Sequence, residues 1–175
     1  SSNWLNPLDA SWLYTESPDT PMHVGGLLVF ALPPGAPKDF LRRVMADFRA
    51  HRDAAPPWNR RLRVSRLTRL LHEWIEVDRI DTEAHVRHTA LPFPGGERDL
   101  GELIARLHSQ PLDLSRPPWE CTLIEGLDGD RFAIYIKLHH CLVDGISGAR
   151  LLQRSLPADR DKGLAAPPFW AVGPA

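Results

Sequence analysis

Two adjacent histidines, His139 and His140, close an alternating apolar run and are followed by Asp144 and Gly145. Such a pair can carry proton chemistry, because a neutral imidazole takes up a proton close to pH 7. Arg131 to Leu138 alternates: Phe132, Ile134, Ile136 and Leu138 lie on one side, and Ala133, Tyr135 and Lys137 on the other. That period predicts a half-buried strand. Its end delivers the histidines to a loop, where a rigid scaffold commonly holds reactive groups. Asp144 can fix the local backbone or tie the loop to a cation. Gly145 leaves space beside the histidines or permits a backbone angle that a Cβ would forbid. Cys141 invites a nucleophile reading, but a catalytic thiol needs a depressed pKa and a base within reach. Neighbours at a strand end also point in different directions. A metal site built from His139, His140 and Asp144 lacks the one-turn histidine spacing of zinc helices, so no metal is expected.

The elements that must position this tract are mixed α/β. Asp9 to Thr15 reads as a short helix with Leu8 and Trp12 on one face, and Val24 to Leu32 as a strand entered through Gly25-Gly26. Pro37 to Arg52 carries Phe40, Leu41, Val44, Met45 and Phe48 at helical spacing. Leu62 to Leu67, Glu73 to Ile80 and Val86 to Leu91 read as strands, with Pro92 to Gly96 as a loop. Glu97 to Gln110 is amphipathic through Leu100, Leu103, Ile104 and Leu107. Trp119 to Leu127 and Arg131 to His139 form a hairpin across Asp128-Gly129, a strong turn signal. Gly145 to Leu156 reads as a closing helix. From Pro157 to Ala175 the periodicity is lost and Pro and Gly accumulate, which predicts a linker. Within it, Trp170 is expected to dock on a partner lobe or a membrane interface. The domain is therefore expected over residues 1–156, with the linker over 157–175.

Bulk properties narrow the classes. The chain has 175 residues, 43% of them hydrophobic, and a net charge of −1. This suits one domain with a sizeable core and gives no electrostatic case for nucleic acid. No apolar stretch approaches the roughly 18 residues of a membrane span. Two cysteines, Cys121 and Cys141, make neither a metal spacing nor a disulfide framework, so a reduced, cytoplasmic protein is expected. Arginines 60, 61, 63, 66 and 69 crowd one stretch. They suit either anionic phosphates or a solvated face balanced by Glu73, Glu76 and Asp78, and the second reading is preferred.

The tract His139 to Gly145 resembles the HHxxxDG signature of CoA-dependent acyltransferases, which include peptide-synthetase condensation domains. Three further stretches resemble the bacterial wax ester synthase/diacylglycerol acyltransferase family. They are Asn6-Pro7-Leu8-Asp9-Ala10-Ser11-Trp12, Pro21-Met22-His23-Val24-Gly25-Gly26-Leu27 and Pro111-Leu112-Asp113-Leu114-Ser115-Arg116-Pro117-Pro118-Trp119-Glu120. The matches run in order from about Asn6 to about Leu152, with Pro118 standing where the family usually has Leu.

The resemblance implies a chloramphenicol acetyltransferase-like lobe, a mixed sheet flanked by helices, and a second lobe that completes a tunnel. It also implies His140 as general base, His139 in support, and Asp144 in a salt bridge shaping the loop, with Arg116 as its partner. Pro117, Pro118 and Trp119 would line the substrate path. The implied reaction moves a long acyl chain from acyl-CoA to diacylglycerol or a fatty alcohol. It needs no cofactor, because the thioester is already activated. Substrates so apolar imply peripheral contact with a membrane or lipid droplet. Two other readings stay open: a condensation-type enzyme using a carrier-protein thioester, and a lipid- or partner-binding homologue without turnover.

Overall fold

The alternating and amphipathic tracts form the expected kinds of element in a computed structural model that describes residues 5, 7–64, 72–142, 150 and 166–173. In chain order they are α1 (Pro7–Thr15), β1 (His23–Ala31), α2 (Phe40–Ala50), β2 (Arg60–Val64) and β3 (His72–Glu76). A short α3 (Thr82–His85), β4 (Val86–Gly95), α4 (Glu97–Ser109), β5 (Trp119–Leu127) and β6 (Arg131–His139) follow. Of the expected helix over Gly145 to Leu156, Arg150 is the one described residue and is helical; the rest lies outside the described residues.

One four-stranded sheet, ordered β1-β6-β5-β4, organises the domain. The β1–β6 and β5–β6 pairs are antiparallel and β4–β5 is parallel, so the sheet is mixed. The β5–β6 hairpin turns where Asp128-Gly129 predicts. Gly129 and Asp130 both take positive φ, +64° and +52°, which the right-handed twist of paired strands favours.

The half-buried expectation for β6 is corrected. The strand is covered on both faces, because helices pack on each side of the sheet. Phe132, Ile136 and Leu138 join Trp119, Cys121 and Leu123 beneath α2, which contributes Met45 and, partly buried, Phe40, Leu41, Val44 and Phe48. Ala133 and Tyr135 face Leu100 and Leu103 of α4. Lys137 is buried as well, and its ammonium donates to the carbonyls of Leu107 (2.9 Å) and Gln110 (2.7 Å) at the end of α4. Gly25 lets Tyr135 cross β1: a Cβ there would lie 2.7 Å from Tyr135 Cε2.

Other boundaries shift for physical reasons. The expected loop over Pro92 to Gly96 is largely strand, because β4 resumes pairing with β5 at Gly95 after a register shift. The tract from Val77 to Ile80 leaves the strand, and Ile80 donates its N–H to Arg52 O (2.9 Å) while its side chain enters the core.

The linker expectation does not hold for residues 166–173. Phe169 and Trp170 are buried in the main core, where Trp170 stacks on Trp119 with ring centroids 5.3 Å apart. Three indole N–H groups find carbonyls there: Trp170 on His51, Trp119 on Trp58 and Trp58 on Val172. A buried indole needs such a partner. Trp170 therefore closes this domain's own core rather than reaching for a partner lobe or a membrane. Trp170→Ala is expected to destabilise the domain by about 3–5 kcal/mol, measured by urea unfolding. A change below about 1 kcal/mol would be incompatible with a load of this kind on the core.

Candidate active site

The last residue of β6, His139, is completely buried. Its Nδ1 accepts the backbone N–H of Cys141 (3.1 Å), and its Nε2–H donates to the Glu16 carboxylate (3.3 Å). Because Nδ1 is an acceptor, the proton sits on Nε2, and the ring is neutral with both nitrogens engaged. Its backbone is held as tightly: His139 N–H donates to Pro118 O, and Leu142 N–H to His139 O, each at 3.0 Å.

His140 follows as the first residue beyond the strand. It is half-buried, and its N–H donates to Met22 O (3.0 Å). Its imidazole stacks on Trp12 of α1, with centroids 4.6 Å apart and planes 18° from parallel. Glu16, just beyond α1, also accepts the N–H of Met22 (3.3 Å). Met22 thus receives the carboxylate at its nitrogen and supplies His140 with a carbonyl. His139 is thus enclosed with both ring nitrogens engaged, whereas His140 is half-buried.

Trp12 and Glu16 were not singled out as site residues by sequence. Their one available signal is a spacing of four, the interval that aligns side chains along a helix, although α1 ends one residue before Glu16. α1 itself packs through Ala10 and Leu13 against Cys141, Leu62 and Trp74. Cys141 is consequently buried, and burial with the nearby Glu16 and Asp9 charges pushes its thiol pKa well up. That environment suits packing, not a nucleophile.

Asp144 and Gly145 lie outside the described residues. Arg116, expected to meet Asp144, is paired with Asp81 (2.8 Å) and Asp113 (3.3 Å). Pro118 and Trp119 are fully buried, so Pro118 serves the histidines through its carbonyl. Pro117, Trp119 and Arg116 border a cleft of about 200 Å³ together with His85, Asp113 and Glu120; neither His139 nor His140 lines it. In the arginine-rich stretch, Arg60 pairs with Glu76 (3.0 Å) and Arg63 with Glu73, across β2 and β3. Arg66 and Arg69 are not among the described residues. No three His, Cys, Asp or Glu residues converge as a metal site among the described residues.

The model of the wax ester synthase/diacylglycerol acyltransferase catalytic domain matches residues 5–175. The chain belongs to this family. It is 41% identical over 97% of its length to the O-acyltransferase WSD of Acinetobacter baylyi, and 49% identical over 89% to a Mycobacterium tuberculosis protein provisionally named a diacylglycerol O-acyltransferase. It spans about a third of the curated relatives it matches, 36% of the first and 31% of the second. The wax ester synthase/diacylglycerol acyltransferase structure from Marinobacter aquaeolei VT8 superimposes on 97% of the chain with a TM-score of 0.89 at 41% identity, covering 40% of that protein. The starter condensation domain of rhizomide synthetase shares the fold, with a TM-score of 0.54 at 16% identity; 89% of this chain and 37% of that one are covered. The α/β lobe with a mixed, helix-flanked sheet is therefore the architecture of the wax ester synthase/diacylglycerol acyltransferase family.

In this family member His23, His85 and His139 are buried and His108 is half-buried. Desolvation holds His23, His85, His108 and His139 below the ordinary histidine range, opposed by the Glu16 carboxylate at His139 and by backbone carbonyls at His23 and His85. Above the unfolded pKa near 6.5, both folded and unfolded chains carry these rings neutral. As the pH falls through it, the unfolded chain binds protons that the folded chain resists, so stability is lost. Urea unfolding is expected to show stability falling steadily from about pH 7.5 to about pH 5.5. A flat or rising profile would contradict this arrangement.

Proposed function

We propose that this chain is the histidine-bearing lobe of an acyl-CoA-dependent O-acyltransferase that esterifies diacylglycerol or a fatty alcohol, with His140 as general base. The supporting observation is the placement of His140: a half-buried residue just beyond the end of β6, a strand covered on both faces, in a tract matched to an acyltransferase family. The acceptor hydroxyl gives its proton to His140 while its oxygen forms a bond to the thioester carbonyl carbon. Collapse of the tetrahedral adduct breaks the C–S bond, and the departing sulfur takes the proton as CoA thiol. A thioester is activated enough for this route to need no metal or redox group.

His139 is a positioning residue in this scheme. Its ring nitrogens are already committed to Glu16 and Cys141, leaving none for a substrate. We assign Asp144 and Gly145 to shaping the loop after His140.

Positioning the reacting atoms about 3–3.5 Å apart and away from water calls for more protein than this lobe. The relatives are about three times as long as the match, so a C-terminal lobe is the partner proposed to close the tunnel. No helix among the described residues is long and apolar enough to cross a membrane, and we propose that the lipid substrates are met at a membrane or droplet surface from the cytoplasmic side.

The test is acyl transfer from labelled acyl-CoA to diacylglycerol and a panel of alcohols, using the full-length protein. His140→Ala is expected to lower kcat by roughly a hundred- to ten-thousand-fold with folding retained, while Cys141→Ala keeps turnover. Unchanged transfer by His140→Ala removes the base. Strict dependence on a carrier-protein thioester would overturn the acyl-CoA assignment. Residues 1–175 alone are expected to be inactive in the same assay, and turnover by that piece would refute the need for a second lobe.

A further inference from the structure

We propose that Trp12 is a positioning residue for His140, one of two contacts through which α1 and the residue just past its end hold the histidine pair in its working arrangement. The proposal rests on His140 being the general base. Consecutive residues leaving a strand direct their side chains differently, so a single contact cannot fix both rings. α1 and the residue just past its end solve this with side chains four apart. Trp12 lies flat against His140 at 4.6 Å, and Glu16 accepts a hydrogen bond from His139. The backbone closes the loop between them, because Glu16 also accepts Met22 N–H and Met22 O accepts His140 N–H.

The two contacts do different work. The carboxylate orders a ring that stays neutral. The indole faces the ring that becomes positively charged when it removes the acceptor proton. A near-parallel stack limits rotation of the imidazole about its side-chain torsions. The electron-rich indole face also stabilises the cation. The location of Trp12 supports this reading over simple packing: 37% of its surface remains exposed, whereas Trp58, Trp119 and Trp170 are fully buried in the core. Its stacked partner is His140.

The experiment uses the full-length protein and labelled acyl-CoA with saturating alcohol. Trp12→Leu and Trp12→Met remove the aromatic face while keeping apolar bulk, Trp12→Phe keeps a smaller face, and His140→Ala is combined with Trp12→Leu. Thermal midpoints and near-ultraviolet circular dichroism identify folded variants. The expected result is a kcat about fivefold lower or more in the Leu and Met variants, with KM within about twofold, and at least half-way recovery in Phe. In the His140→Ala background the same Trp12→Leu change should have no further effect on residual turnover, because the stacked ring is gone.

Normal kcat in whichever of the Leu and Met variants folds would overturn the proposal. So would a rise in KM with kcat unchanged, which would make Trp12 part of the substrate wall, or an equal additional loss in the His140→Ala background. If His140→Ala alone turns over normally, the general-base reading falls and takes this proposal with it. If that variant is inactive and Trp12→Leu is normal, only the proposal falls.

Discussion

A neutral, doubly bonded His139 is the constraint on which the site's geometry depends. Its ring is buried, so ionising it there would place a charge in a medium that solvates it poorly. The alternative is to satisfy each nitrogen according to its protonation: an amide N–H at Nδ1 and the Glu16 carboxylate at Nε2. One partner is local, two residues on at Cys141, and the other is 123 residues away at Glu16. Meeting that demand brings α1 onto the end of β6. It also fixes where the next residue leaves the sheet, so His140 emerges beside the same helix.

The rest of the domain keeps this arrangement stiff. β6 lies inside the sheet with β1 and β5 as neighbours, and each of its faces is covered. On one side, Trp58, Trp119, Phe169 and Trp170 contact one another at ring separations of 5.0–6.4 Å, in edge-on and stacked pairs. His85 adds a further ring, stacked on Trp119 at 4.4 Å with Nδ1–H on its carbonyl. Trp119 opens β5 opposite Leu138, so this aromatic cluster reaches within one residue of His139. Stiffness in the core is thus transmitted to the strand end through main-chain pairing.

What could be read from the sequence was local. The β5–β6 hairpin was legible because Asp128-Gly129 marks the reversal and both flanking runs have a period of two. α2 and α4 were legible from apolar spacing. The alternation in β6 implies one wet face because Tyr135 and Lys137 have polar ends, whereas α4 covers both. The residues after Pro157 looked like a linker because Pro and Gly carry no period. Phe169 and Trp170 nevertheless find a cavity left by distant segments. The histidine tract was visible by type and spacing. Glu16 and Trp12 were not, since a contact between α1 and the end of β6 leaves no local pattern in either.

Lys137 has a consequence for how the layers are registered. An ammonium group enclosed between sheet and helix has few acceptable neighbours, and here it takes the carbonyls of Leu107 and Gln110 where α4 runs out of internal partners, with Glu120 at 3.6 Å. The helix end bears partial negative charge, so cation and terminus complement each other. Apolar layers can slide over one another at modest cost, since one methyl contact resembles the next. A charge seated in a socket of oxygens cannot. Lys137 therefore acts as an indexing pin, and a displacement of α4 by even one turn would strand a cation beneath leucines.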